Sequence, residues 1–126
     1  WEMLAQEQDA VLVDVRTPAE WGYVGRPDLT NLGKETQLVP WQLGPGTGKN
    51  ADFLDGVCAL ADSNDVPLLF LCRSGVRSQN AAKAVTAAGF TRCYNVLGGF
   101  EGNPDEHGHR GTMEGWKVDG LSWTQD

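Results

Sequence analysis

The chain has 126 residues, three cysteines and a formal net charge of −7. That length fits one domain that buries roughly two-thirds of its unfolded surface, a core that needs no disulfide or metal staple. The negative balance disfavours nucleic acid and anionic membrane surfaces as partners, and no apolar run reaches the ~20 residues of a membrane span.

An odd cysteine count without a Cys-x2-Cys pair argues against a disulfide framework and a zinc ribbon. Three separate thiols fit a reducing compartment, so a cytoplasmic location is expected. The chain starts at Trp1, and an upstream segment, a signal peptide included, stays open.

Residues 1–6 read as the end of a helix. Residues 11–15, Val-Leu-Val-Asp-Val, form a strand that is apolar on both faces except at Asp14, the pattern of a sheet covered on both sides. Thr17, Pro18 and Glu20 then spell a capping box with proline at the first helical position. Residues 22–35, rich in Gly, Pro, Asp and Asn, read as a loop, and residues 36–41 as a second strand. A glycine-rich connection at 44–49 leads to a helix capped by Asn50 or Asp52, with Leu54, Val57, Cys58 and Ala61 at helical spacing.

Residues 67–72 are the clearest buried strand, with Pro67 at its start. A helix to about Ala88 follows, with Ala81, Ala84, Val85 and Ala88 as its buried stripe and Gly89 as its left-handed stop. Residues 93–97 make a further short strand that ends at Gly98-Gly99, and residues 101–126 read as a mostly irregular tail packed on the domain. Strands alternating with helical patterns define an α/β domain with a mainly parallel sheet.

Cys72 stands at the carboxyl end of the buried strand and just before a helix, where open α/β sheets place their ligand crevices. Consecutive amides of residues 73–78 can curl into an anion-binding nest, and the helix N-terminus adds about half a positive charge. With Arg73 and Arg77 nearby, these groups favour the thiolate as a nucleophile whose covalent intermediate is itself anionic.

Four parts of the chain resemble the rhodanese superfamily. Residues 13–21, Val-Asp-Val-Arg-Thr-Pro-Ala-Glu-Trp, look like its opening motif, and residues 72–78, Cys-Arg-Ser-Gly-Val-Arg-Ser, look like its active-site loop. Gly89-Phe90 with residues 95–99, Asn-Val-Leu-Gly-Gly, resemble its closing strand and turn, and Trp116, Gly120-Leu121 and Trp123 resemble the tail of bacterial single-domain members. The resemblance covers nearly the whole chain. It implies a single rhodanese domain over residues 1–126, with a central sheet of about five strands and helices on both faces.

The resemblance also implies a thiosulfate-type sulfurtransferase without a cofactor or metal. Cys72 would carry sulfane sulfur as a persulfide from a small-molecule or protein donor to a nucleophilic acceptor. Arg73, Ser74, Gly75, Val76, Arg77 and Ser78 would hold the persulfide and the anionic donor, with Asp14, Arg16 and Glu20 as structural support. Where many members follow the opening motif with Gly-His-Ile, this chain reads Gly22-Tyr23-Val24-Gly25-Arg26-Pro27, so substrate choice stays open.

The alternatives are an enzyme of the cysteine phosphatase or arsenate reductase class, and a non-catalytic interaction or redox-sensing module. The first uses a Cys-x5-Arg ring that fits a tetrahedral oxyanion, whereas here Arg77 closes a Cys-x4-Arg loop and position 78 is serine. Cys58 and Cys93 are expected in the core, with a resolving role toward Cys72 open. His107 and His109 read as exposed rather than metal ligands. Residues 44–49 lack the spacing of a phosphate loop. Trp41, Trp116 and Trp123 are expected to pack, and Trp21 and Trp41 could line the mouth of the pocket.

Overall fold

Strands that are apolar on both faces need cover on both faces. The computed structural model, which describes residues 1–42 and 49–125, meets that demand with four parallel strands. In chain order the elements are α1 (Glu2–Gln6), β1 (Val11–Asp14), α2 (Pro18–Tyr23), β2 (Arg26–Pro27), a 3-10 turn (Thr30–Leu32), β3 (Gln37–Leu38), α3 (Phe53–Cys58), β4 (Leu68–Leu71), α4 (Val76–Ala87), β5 (Cys93–Asn95) and β6 (Trp123–Thr124).

The central sheet runs β3-β1-β4-β5. Its longest ladder joins β1 to β4, from Val11 opposite Leu68 to Asp14 opposite Leu71. This register brings the ends of β1 and β4, and so Asp14 and Cys72, to the same edge.

Side chains alternate across the strands. Val13, Val15, Leu68 and Phe70 face α3 and α4, where Phe53, Val57, Ala81 and Val85 meet them. Leu12, Leu69 and Leu71 face the other way, onto Leu4 of α1, Leu29, Phe100 and Trp116. The second layer is therefore a short helix, a 3-10 turn and the tail. Residues 101–125 are irregular apart from β6, yet Trp116 is buried and donates its ring N–H to the Ser122 carbonyl at 2.8 Å.

Local sequence explains several element ends. Thr17 and Glu20 form the reciprocal capping box of α2. At the end of α4, Gly89 takes φ +112, its amide bonds to Thr86, and the Phe90 amide bonds to Val85. That is the paired bonding of a Schellman stop, with the Phe90 side chain returned to the core.

Four expectations change. Among the described residues the parallel sheet has four strands rather than about five, and a separate antiparallel pair joins β2 to β6, drawn from segments with no strand periodicity. The second strand contracts to Gln37–Leu38. Cys58 is exposed, because α3 turns Phe53 and Val57 inward and so leaves Leu54 and Cys58, also four apart, on the outer side. In α4, Ala81 and Val85 are buried as expected, but Ser78 takes the third inward place while Ala84 is half-buried and Ala88 exposed. The connection at 44–49 falls, for residues 44–48, outside the described residues.

The one fully buried ion pair lies among the described residues at the end of β1. Arg16 Nη2 donates to Asp14 Oδ2 at 2.7 Å and Arg16 Nε to Asp14 Oδ1 at 3.0 Å. Nη2 also reaches the Gly25 carbonyl at 2.7 Å, and the guanidinium lies over the Phe100 ring, 4.4 Å from its centroid. Removing one partner of such a pair strands the other charge. Asp14→Ala is therefore expected to cost about 3–5 kcal/mol, read as a lower urea midpoint with an unchanged slope.

Candidate active site

β4 delivers Cys72 to the carboxyl edge of the sheet, and the chain bends at once into α4. Gly75 makes the bend possible. It takes φ +117, in the left-handed region that glycine enters without strain. The bend aims the Gly75 amide at Cys72 Sγ, 3.1 Å away. The first turn of α4 leaves further amides without acceptors inside the helix. Among the described residues, the amides of Arg73 and Ser74 likewise make no hydrogen bond within the chain. The Gly75 amide and the Ser78 hydroxyl thus give the sulfur polar neighbours although Cys72 is only 1% exposed.

The loop is held from the side by the turn after β5. The amide of Phe100 bonds to the Cys72 carbonyl at 2.8 Å, and those of Glu101 and Gly102 share the Arg73 carbonyl at 3.0 Å. Gly99, at φ +65, sits so close that a Cβ would fall 2.6 Å from the backbone of Cys72 and Arg73. Nothing larger than glycine fits there without moving the loop.

The two arginines of the loop differ. Arg77 is half-buried and bound by both nitrogens to Glu20, at 2.6 and 3.0 Å. The Glu20 carboxylate raises Arg77 above its ordinary value. For Glu20 itself, burial pushes the carboxyl up, but hydrogen bonds from Arg77 and Thr17 outweigh it and hold the group below its usual range. Arg73 is exposed, and its guanidinium has no ion-pair partner among the described residues. Both line a cavity of about 480 Å³ with Thr17, Ala19, Glu20, Val24, Gln42 and Glu101. Trp21 and Trp41 are not in its described wall; Trp41 packs edge-on against Phe53 instead.

Of the residues expected to act together, Cys72, Gly75 and Ser78 meet at the sulfur, with Ser78 Oγ 3.2 Å from Sγ. Val76 points outward, 68% exposed. Asp14 and Arg16 lie beneath this edge as the buried pair, and Glu20 reaches the loop through Arg77.

Cys93 pairs with Leu68, four residues before Cys72, so the two cysteines stand about 13 Å apart along the strands, beyond the reach of a disulfide. Cys93 is half-buried against the core, as expected, and burial pushes its thiol up. His107 and His109 are exposed on a loop whose amides bond to Asp105. The sequence reading assigned no role to Asn95, which bonds to both Ser78 and Gly75. A polar residue ending a short parallel strand was the available signal.

Comparison with known proteins identifies the family. The STR4 middle domain family matches residues 1–126. An uncharacterized protein of Rickettsia conorii is 41% identical over 124 residues, 98% of this chain and 89% of its own. The thiosulfate sulfurtransferase GlpE of Glaesserella parasuis is 36% identical over 102 residues, 81% of this chain and 77% of its own. The crystal structure of Rv0390 from M. tuberculosis is 50% identical, with a TM-score of 0.91, and the match covers 100% of this chain and 92% of that one.

Because Glu20 titrates below its unfolded value near ~4.3, its bridge stabilises the fold fully above that pH. The contribution is lost as pH falls through the lower folded value. Chemical denaturation at falling pH should show the unaltered chain losing more stability between about pH 5 and 3 than Glu20→Gln.

Proposed function

The chain belongs to the STR4 middle domain family and, with the sulfurtransferase GlpE, to the rhodanese superfamily; from that premise we propose that it moves sulfane sulfur from an anionic donor such as thiosulfate through a persulfide on Cys72. The Cys72 thiolate attacks the outer sulfur of the donor. The donor S–S bond breaks and sulfite leaves with its electron pair. An acceptor nucleophile then attacks the outer persulfide sulfur, and the electron pair of that bond returns to Cys72 as thiolate.

The observation that carries this reading is the Gly75 amide on Cys72 Sγ within a loop of unpaired amides. Those amides suit a persulfide anion, which needs donors but no base attached to it. The four-residue spacing to Arg77 supports sulfur over the larger tetrahedral oxyanion of a phosphatase. Arg77 serves chiefly to tie the loop to Glu20. Arg73, exposed on the same cavity, meets the donor's charge as it enters. The acceptor is a nucleophile small enough, or carried on a protein segment narrow enough, to reach a sulfur that lies below the surface.

The test is thiocyanate formation from thiosulfate and cyanide, joined to intact-mass measurement after thiosulfate alone. Turnover, and a gain of one sulfur on Cys72, are expected, with both lost in Cys72→Ser. Absence of both in the unaltered chain, or phosphate release from an aryl phosphate instead, would overturn the reading. Arg73→Ala should raise the donor KM by about tenfold, the size of one lost charged contact, with kcat little changed.

A further inference from the structure

The hydrogen bonds around Cys72 close into a ring, and one atom dictates their direction. The Gly75 carbonyl oxygen can only accept. It takes a bond from Asn95 Nδ2 at 3.2 Å, which orients the Asn95 amide and turns its Oδ1 toward Ser78. Oδ1 also only accepts, so the Ser78 hydroxyl donates to it, over 2.5 Å. A serine hydroxyl has a single proton. With that proton on Asn95, Ser78 Oγ presents lone pairs to Cys72 Sγ, 3.2 Å away.

A neutral thiol completes this ring. Its S–H donates to Ser78, and the Gly75 amide returns to sulfur at 3.1 Å. A sulfur anion does not fit it, because the lone pairs of Ser78 would then face a negative charge. The hydroxyl must turn and donate to sulfur, and Asn95 Oδ1 loses its donor. Ser78 is fully buried, so water does not replace either bond from the Ser78 side.

We propose that Asn95 is a positioning residue of the Cys72 centre, which holds the Ser78 proton while the sulfur is a thiol and yields it when the sulfur becomes an anion. The thiol proton leaves to a base in the solvent, while Ser78 keeps its own proton and only turns. Asn95 thereby sets how readily Cys72 becomes a nucleophile without bonding to the sulfur. Sheet register puts it there: Asn95 ends β5 opposite Phe70, two residues before Cys72. The inference rests on Cys72 as the nucleophile of the sulfur-transfer reading.

Alkylation of Cys72 by iodoacetamide, followed by peptide mass across a range of pH, tests it in Asn95→Leu, Ser78→Ala and the double variant. Ser78→Ala removes the donor to the anion and moves the alkylation profile to higher pH. Asn95→Leu frees the Ser78 proton. In the Ser78 background its shift should lie about one pH unit lower than the shift the same substitution gives in Ser78→Ala. Release of the Gly75 carbonyl acts in both backgrounds and cancels from that difference.

Equal shifts in the two backgrounds would overturn the proposal. Asn95→Ala gives the same comparison if the leucine variant does not fold. Alkylation needs no sulfur donor, so the two readings separate. A background-dependent shift without thiocyanate formation keeps the role of Asn95 and discards sulfur transfer, and thiocyanate formation with equal shifts does the reverse.

Discussion

A guanidinium with no access to water constrains everything around it. Arg16 is wholly buried, and a charge there persists only with a counter-charge and acceptors in place. Asp14 supplies the charge from two residues away, the Gly25 carbonyl supplies a further acceptor, and Phe100 covers the flat face. Each partner commits a different part of the chain. Gly25 fixes the path after α2, and Phe100 fixes the turn after β5. That turn is the one whose amides hold the carbonyls of Cys72 and Arg73. The buried pair and the Cys72 loop are thus braced by the same residue, from opposite ends.

The same edge carries a second brace. Glu20 belongs to the capping box of α2 and to the ion pair with Arg77, so one carboxylate joins the start of α2 to the first turn of α4. An arginine beside a cysteine at a strand end invites assignment to substrate. Here it has a bidentate carboxylate partner, whereas Arg73, on the wall of the same cavity, is more exposed and has no ion-pair partner among the described residues. Positive charge at the loop is thus divided between a guanidinium paired with a carboxylate and one left exposed.

Rigid backbone around the sulfur has a chemical consequence. Gly75 and Gly99 each occupy conformations that larger residues reach only with strain, one to turn an amide inward and the other to let two turns touch. Donors fixed in this way need no rearrangement when charge appears on sulfur. Ser78 is different, because its hydroxyl can rotate. The centre therefore combines one fixed amide donor, that of Gly75, with one hydroxyl that can turn, and Asn95 is bonded to that hydroxyl.

Near-neighbour patterns were legible in the chain itself. The capping box at Thr17 and Glu20, the apolar strand before Cys72, the left-handed stop at Gly89 and the Cys-x4-Arg spacing all depend on residues a few positions apart, where backbone periodicity dictates geometry. From them the sequence determined a parallel α/β fold with a cysteine at a strand end, just before a helix. Tertiary structure alone decided which of two equally spaced pairs in α3 faces inward, so that Cys58 is outside. It also paired Glu20 with Arg77, 57 positions away, and brought Asn95 to Ser78 across the β4–β5 ladder. Partners of that kind are selected by which faces pack and in what register the strands meet, quantities that no local pattern contains.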